Sequence, residues 1–79
     1  MVKLKDIRRA KGLSQAQLAE KTGVNLRTLQ HYEQGSKVFD NARIDTILKC
    51  AIALDCKIEE IIDDTEYIEL IRRYEKSQG

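Results

Sequence analysis

The fold is decided by residues 14–35, which read SQAQLAEKTGVNLRTLQHYEQG. Apolar residues recur at helical spacing on either side of Gly23, which predicts two short helices joined by a tight turn. Glycine suits that turn because it adopts positive φ without steric penalty. Ser14 and Asn25 stand where the two helices begin, and their side-chain oxygens can accept hydrogen bonds from free backbone amides. Gln17, three residues after Ser14, predicts a capping box.

The second of these helices carries hydrogen-bonding side chains on its outer face. A helical wheel that sets Leu29 and Tyr32 against the core turns mostly polar residues outward. Arginine can bond guanine and glutamine can bond adenine in bidentate fashion, and an apolar side chain can contact a thymine methyl group. A short helix presenting such groups can enter the major groove of DNA. The alternative is that they are ordinary exposed residues. The residues expected to read bases are Leu26, Arg27, Gln30 and His31.

The stretch resembles the Cro and phage-repressor type of helix-turn-helix protein, also called the xenobiotic response element family. The resemblance rests on the spacing of Leu13-Ser14-Gln15, Leu18-Ala19, Gly23-Val24, Leu29 and Tyr32-Glu33-x-Gly35, and it covers residues 4–62. Residues 51–62 resemble the family's fourth and fifth helices. Two positions depart from the family pattern: Asp55 replaces the usual helix-ending glycine, and Lys57 replaces a capping Ser, Thr or Asp.

The resemblance implies roles for residues outside the recognition helix. Gln15 matches the position that grips the DNA backbone at the start of a helix. Arg8 and Glu33 occupy positions that form an ion pair in the family, which would hold the recognition helix against the scaffold. Residues at the edges of the motif are the other candidates for phosphate contact: Gln34, Ser36, Lys37 and Arg43, with Arg9 and Lys11 as weaker ones.

The whole chain is expected to be all-α, a compact five-helix repressor-like helix-turn-helix domain with an extra C-terminal helix. Proline is absent, and apolar spacing predicts further helices over residues 2–11, after residue 41 and around residues 58–62. Val38 and Phe39 are expected to plug the core from a loop. In the fourth helix the inward stripe is predicted to be Ile44, Ile47, Leu48 and Ala51. The predicted core is Leu18, Val24, Leu29, Tyr32, Ile47, Leu48 and Ile61.

The last segment, residues 63–79, is predicted to be an amphipathic helical tail separate from the DNA-binding domain of residues 1–62. Tyr67, Leu70, Ile71 and Tyr74 form its apolar stripe. Such a helix needs a surface to cover that stripe. It either folds back on its own domain or makes the contact of a homodimer, with Ile58 and Ile62 as further candidates. The spacing leaves both possibilities open.

The amino-acid composition limits the classes of function that the chain can have. Residues 1–49 hold ten Lys and Arg against five Asp and Glu, whereas residues 50–79 hold four against eight. The basic half is the one with the helix-turn-helix, as DNA binding requires. From a length of 79 residues we expect no separate small-molecule effector domain. We expect a cytoplasmic protein without membrane segment, cofactor or metal, because there is one histidine and Cys50 and Cys56 lack metal-ligand spacing.

The expected function is a sequence-specific DNA-binding transcriptional regulator. We expect a repressor that binds a pseudo-palindromic site in double-stranded DNA as a dimer, at least on DNA, because one recognition helix covers too few base pairs. An enzyme is not favoured, since no catalytic constellation is recognisable. The alternative is a protein-interaction module of the same fold, such as an antitoxin or anti-repressor, and the apolar Leu26 is the feature that favours it.

Overall fold

A computed structural model of the chain describes residues 2–78, and these form helices and turns without any strand. The elements are α1 (Lys3–Ala10), α2 (Gln15–Thr22), α3 (Leu26–Gln34), a 3-10 turn (Phe39–Asn41), α4 (Ile44–Leu54), a second 3-10 turn (Ile58–Glu60) and α5 (Thr65–Gln78). The all-α prediction is therefore confirmed. Met1 and Gly79, the outer ends of the two predicted domains, lie outside the described residues, and none of the described helices is long and apolar enough to cross a membrane.

Local hydrogen bonds set the ends of α2 and α3 as the sequence predicts. The Gln17 N–H donates to Ser14 Oγ (3.0 Å) and the Ser14 N–H donates to Gln17 Oε1 (2.8 Å), which completes the capping box. Gly23 ends α2 in the left-handed region, at φ 74°. The Arg27 N–H donates to Asn25 Oδ1 at the start of α3 (2.8 Å). The turn between the two helices is thus specified by residues within four positions of it.

The core lies between α1, α2, α3 and α4. Among the predicted core residues, Val24 and Tyr32 are half-buried against it, and Tyr32 meets Phe39 edge to face with ring centroids 5.3 Å apart. Such aromatic pairs add stability beyond their buried area. The buried apolar residues are Leu4, Leu18, Leu29, Phe39, Ile47, Cys50, Ala51, Leu54, Ile61 and Ile62.

The predicted inward face of α4 is correct for Ile47 and Ala51, which are buried, and wrong for Ile44 and Leu48. Ile44 is 67% exposed and Leu48 is 41% exposed, whereas Ile47, Cys50 and Leu54 are buried. Both sets recur at helical spacing because α4 is apolar around most of its circumference. Periodicity alone therefore does not choose between the two faces.

Two shorter predictions also differ from the structure. Phe39 enters the core as expected, but its neighbour Val38 is 60% exposed, so only one of the two residues plugs the core. The segment expected to form a short fifth helix is a single 3-10 turn. The N–H groups of Ile61 and Ile62 both donate to the Ile58 carbonyl, at 3.0 and 3.1 Å. The two hydrogen bonds thus share one acceptor, and the turn does not continue as a helix.

Helix α4 ends at Leu54 and is capped by Asp55, which has φ 50° and ψ 53°. The left-handed region costs an L-residue roughly 1–2 kcal/mol, and glycine avoids that cost. We expect Asp55→Gly to unfold at a urea concentration no lower than the parent, and Asp55→Ala to be less stable than Asp55→Gly by about 1 kcal/mol. Equal stability of the alanine and glycine variants would contradict the strain.

Helix α5 folds back on its own domain. The Tyr67 hydroxyl donates to Asn41 Oδ1 (3.2 Å), and Arg72 Nε donates to Glu59 Oε2 (2.7 Å). Ile68 and Ile71 are half-buried, but no residue of α5 is fully buried. The fold-back is thus present while much of the stripe stays open, so the dimer contact predicted for the tail stays a prediction.

The chain entering α5 is held by Asp40. Its two carboxylate oxygens accept hydrogen bonds from the backbone N–H groups of Asp63 (3.1 Å) and Asp64 (2.6 Å). Asp64 Oδ1 in turn accepts from the Glu66 N–H (2.8 Å) at the first turn of α5. Asp40 belongs to the 3-10 turn that follows the loop after α3, so the position of α5 is tied to that loop.

Candidate nucleic-acid interface

Helix α3 presents its outer face to solvent because two of its residues are buried. Leu29 is fully buried and Glu33 is 5% exposed, which turns the opposite side of the helix outward. Arg27 and Leu26 are exposed, with Leu26 at 39%. The other two residues predicted to read bases, Gln30 and His31, are half-buried. The structure therefore brings all four to one helix and exposes its N-terminal pair most fully.

The guanidinium of Arg27 is available for a ligand. It forms no hydrogen bond or ion pair with the side chains and backbone of residues 2–78. The backbone of Arg27 is held by the Asn25 cap, so the helix start is ordered while the side chain stays open. An arginine offers five N–H donors in a fixed fork, which matches the two acceptors on a guanine edge.

Arg8 and Glu33 form a bidentate ion pair between α1 and α3. Arg8 Nε donates to Glu33 Oε2 (2.7 Å) and Arg8 Nη2 donates to Glu33 Oε1 (2.9 Å). Arg8 Nη1 also donates to the Leu13 carbonyl (2.7 Å), which attaches the loop before α2. The two side chains are 9% and 1% exposed. This pair is where the resemblance placed it, and it fixes α3 against the scaffold.

The pKa shifts of the pair follow from burial and hydrogen bonding. The hydrogen bond to Glu33 raises the pKa of the Arg8 guanidinium, against the opposing effect of burial. For Glu33, burial acts to raise the pKa of the carboxyl, but hydrogen bonds from Arg8 and Gln15 outweigh it, and the pKa is lowered. Both shifts favour the charged forms, so the folded domain holds an ionised pair.

Gln15 is connected to the same carboxylate. Its Nε2 donates to Glu33 Oε1 (3.0 Å), which uses one of the two amide hydrogens and leaves the other free. Gln15 is the first residue of α2, where backbone N–H groups lack partners within the helix. The predicted phosphate contact therefore stands at an N-terminus with free donors, and its side chain is held in place by α3.

A groove beside this N-terminus is lined by basic and polar groups. Two phosphate candidates, Gln15 and Gln34, line it together with Arg9. Lys5 also lines the groove and was not singled out in the sequence. Lys5 and Arg9 are four residues apart on α1 and thus share one face of that helix, a spacing from which Lys5 could have been identified in the sequence.

The loop after α3 supplies the second set of phosphate candidates. Gly35 caps the end of α3 with φ 84°, and the Lys37 N–H donates a hydrogen bond to the His31 carbonyl (3.3 Å). Ser36 and Lys37 are exposed directly after the recognition helix. The ammonium group of Lys37 has no ion-pair partner within the described chain.

Two other basic candidates are placed differently. Arg43 precedes α4, and its Nε donates to Asp45 Oδ1 (3.2 Å), so it is engaged at the start of a helix that carries no base-reading candidate. Lys11 lies close enough to Cys56 for its positive charge to oppose the rise in the pKa of that thiol, which burial causes first. Neither residue lines the groove at Gln15.

The cysteines are thiols held in their protonated form. Cys50 is fully buried, and burial raises its pKa to about 11. Burial also raises the pKa of Cys56. Thiolates are the reactive and metal-binding form, so neither residue is poised for such chemistry. Over residues 2–78 no group of three or more potential metal ligands comes together.

Comparison with known proteins agrees with this geometry. The chain is similar to the restriction-modification controller protein C.AhdI from Aeromonas hydrophila, with 37% identity and a TM-score of 0.67. The similarity covers 76% of this chain and 86% of that one. No curated protein sequence matches the chain. The helix-turn-helix family model matches residues 4–61. Because that match spans most of the chain and the recognition motif within it, the protein belongs to the Cro and phage-repressor type of helix-turn-helix proteins.

Proposed function

We propose that this DNA-binding transcriptional regulator acts as a repressor that binds a pseudo-palindromic operator as a homodimer. The observation that carries the proposal is the open side chain of Arg27 on a helix that is capped by Asn25 and held from behind by Arg8 and Glu33. A recognition helix must be fixed before it meets DNA, because disorder in its orientation would cost affinity. One such helix reads few base pairs, so two-fold pairing supplies the required discrimination.

Base reading is assigned to α3. Arg27 is the candidate for a bidentate contact with guanine O6 and N7, and Gln30 for a contact with an adenine edge. Leu26, which has no hydrogen bond to offer, suits a thymine methyl group. His31 lies one turn beyond Arg27 on the same side of the helix, within reach of a base or of a phosphate.

Phosphate contacts are assigned to two clamps on either side of α3. The first is the groove at the start of α2, where Gln15 is joined by Gln34, Arg9 and Lys5. The second is the loop of Ser36 and Lys37. Contacts of this kind set the register of the protein on the duplex and carry the salt dependence of binding. Arg43 is retained as a weaker candidate, because Asp45 already engages it.

The similarity to C.AhdI supports a role as a controller of the same kind. A protein-interaction module is the second candidate, favoured by the 39% exposure of Leu26 at the end of α3 that would enter the groove. Selection of bound sequences from a random oligonucleotide pool, followed by gel shifts at two salt concentrations, separates the two. Sequence-selective binding supports the regulator, whereas failure to enrich any sequence would favour the interaction module.

Lys37→Ala is expected to weaken binding to all DNA sequences alike. The ammonium group is exposed and unpaired within the described residues, so its loss removes one phosphate contact and leaves the fold intact. The slope of log affinity against log salt should shrink by about one. Fluorescence anisotropy over a salt series measures it, with Lys76→Ala on α5 as the matched control. An unchanged slope for Lys37→Ala would remove Lys37 from the clamp.

A further inference from the structure

Asp40 is an acidic residue that follows closely after the second clamp, the loop of Ser36 and Lys37. A free carboxylate beside a row of DNA phosphates would be repelled by them and would lower affinity for DNA. Asp40 is half-buried, however, and both of its oxygens accept hydrogen bonds from backbone N–H groups. The carboxylate therefore belongs to the structure behind the loop and not to the surface proposed to meet DNA.

The loop of the second clamp is attached to α3 at its start. The Gly35 N–H donates to the Tyr32 carbonyl (3.3 Å), and the Lys37 N–H donates to the His31 carbonyl (3.3 Å). The side chains of residues 36–38 are exposed, so the loop depends on its two ends for a defined position.

Two neighbouring residues fix the other end of the loop. Phe39 is buried and meets the Tyr32 ring edge to face. Asp40 accepts hydrogen bonds from the N–H groups of Asp63 (3.1 Å) and Asp64 (2.6 Å). Burial of an apolar ring is non-directional, whereas two hydrogen bonds to one carboxylate have defined directions. Asp40 is therefore the residue that orients this end of the loop.

The segment that Asp40 binds is itself attached to two helices. Asp63 Oδ1 accepts a hydrogen bond from the Lys3 N–H at the start of α1 (3.2 Å). Asp64 Oδ1 accepts from the Glu66 N–H in the first turn of α5 (2.8 Å). Helix α1 also carries two of the residues assigned to the first clamp. The segment thus connects the structures behind both clamps.

We propose that Asp40 is a positioning residue for DNA binding, which fixes the second clamp where Lys37 reaches a phosphate. Asp40 acts through the loop and does not touch DNA. This inference rests on the proposed function, in which Lys37 is a phosphate contact. It also gives the start of α5 a part in DNA binding, because the same carboxylate binds that segment and orients the loop. The coupling is reciprocal, so bound DNA stabilises the hydrogen bonds of Asp40.

The sign of one substitution tests the proposal. Asp40→Asn should lower affinity for operator and random DNA alike, roughly three- to tenfold, because the amide nitrogen of asparagine cannot accept the second hydrogen bond. A carboxylate without a positioning role would give the opposite result, since removal of a negative charge near DNA raises affinity. Fluorescence anisotropy at one salt concentration measures the change, and an unchanged or raised affinity would overturn the proposal.

Glu20→Gln is the matched control for the loss of charge. Glu20 is exposed on α2, in the same basic half of the chain as Asp40. The substitution removes a carboxylate and keeps the size of the side chain, as Asp40→Asn does. Affinity of this variant for DNA should stay at the parent value or rise.

A double-mutant cycle tests whether Asp40 acts through Lys37. Asp40→Asn combined with Lys37→Ala should bind nearly like Lys37→Ala alone, because a loop without the ammonium group has little left to position. Combined with Arg27→Ala on the outer face of α3, the losses should add. Asp40→Asn by itself should also reduce the slope of log affinity against log salt, by up to about one. Full additivity of the Asp40 and Lys37 variants would overturn the proposal.

Amide hydrogen exchange follows the same coupling without relying on affinity. The N–H groups of Asp63 and Asp64 should exchange at least tenfold faster in Asp40→Ala than in the parent, and the Lys37 N–H should also exchange faster. Operator DNA should slow exchange at Asp63 and Asp64 in the parent. Urea denaturation shows whether Asp40→Ala is folded, and Asp40→Asn gives the same readout if it is not. Exchange at Asp63 and Asp64 that does not respond to operator would contradict the coupling.

Failure of this inference is distinguishable from failure of the proposed function. If Lys37→Ala binds all DNA like the parent, the second clamp is wrong, and the role of Asp40 falls with it. If Lys37→Ala weakens binding while Asp40→Asn does not, the clamp stands and only the positioning role of Asp40 is wrong.

Discussion

Replacing Glu33 by alanine is expected to lower the free energy of unfolding by about 3–5 kcal/mol. The substitution leaves the guanidinium of Arg8 buried beside an empty site, without the two hydrogen bonds it makes to the carboxylate. A domain of this length has a total stability of about 4–12 kcal/mol, so the loss removes a large part of it and would leave a domain at the lower end of that range partly unfolded at room temperature. Urea denaturation followed by circular dichroism measures the loss.

Glu20→Ala is the matched control, since Glu20 is exposed on α2 and its loss should change stability little. A loss below about 1 kcal/mol for Glu33→Ala would show that the pair behaves like an exposed one. Gln15→Ala removes only the hydrogen bond that an uncharged amide donates to the Glu33 carboxylate and should cost about 1.5–3 kcal/mol, which separates the loss of this bond from the loss of the ion pair.

The Arg8–Glu33 pair should also make the free energy of unfolding depend on pH in the acid range. The folded state lowers the Glu33 pKa from its ordinary value of 4.5, so the unfolded chain binds more protons than the folded one in this range. The contribution of Glu33 is complete above 4.5 and is lost as pH falls through the lowered pKa of the folded state. Glu33→Gln has no carboxyl at this position, and its stability should fall less steeply with pH over that window than that of the parent.

Replacing Arg27 by alanine is expected to cost about 1–3 kcal/mol in binding to the selected operator and to relax the preference at one base pair. Folding should be unaffected, because the side chain is exposed and makes no ion pair with the rest of residues 2–78. Binding to the operator, to single-base variants of it and to random DNA is compared by anisotropy at one fixed salt concentration.

Arg27→Lys separates base reading from charge. Lysine keeps the positive charge but lacks the planar fork of arginine, so affinity for random DNA should be kept while discrimination falls. Arg73→Ala, an exposed arginine on α5, is the matched control. Equal losses on operator and random DNA for Arg27→Ala would assign Arg27 to phosphate contact.

These two predictions concern opposite sides of one helix. Glu33 faces inward and holds α3 to α1 and to the start of α2, whereas Arg27 faces outward and is free. The proposed base-reading surface is therefore held in place by a buried ion pair as well as by apolar packing. We expect substitution of Glu33 to reduce DNA affinity through loss of folded protein. Substitution of Arg27 should reduce sequence specificity without changing the stability of the fold.

The elements of the DNA-binding motif follow from the sequence by itself, because the interactions that set them are local. Ser14 and Gln17 form their capping box within one turn, and Gly23 ends α2 in the left-handed region that its lack of a Cβ favours. Asn25 caps α3 two residues away. The contact between Arg8 and Glu33 could be predicted only from the resemblance to a family, since the two residues are 25 positions apart in the sequence.

Which faces are buried and how distant segments meet were decided by the tertiary structure. Helix α4 is apolar on two sides, so only packing against α2 and the chain around Ile61 determined that Leu54 is buried and Leu48 is exposed. The hydrogen bonds from the N–H groups of Asp63 and Asp64 to Asp40 fix the start of α5, and they join residues that are separated by 23 and 24 positions in the sequence. A periodic pattern gives the spacing of apolar residues around a helix. Which of two apolar faces is buried depends on the surface that packs against the helix, and that surface exists only once the chain has folded.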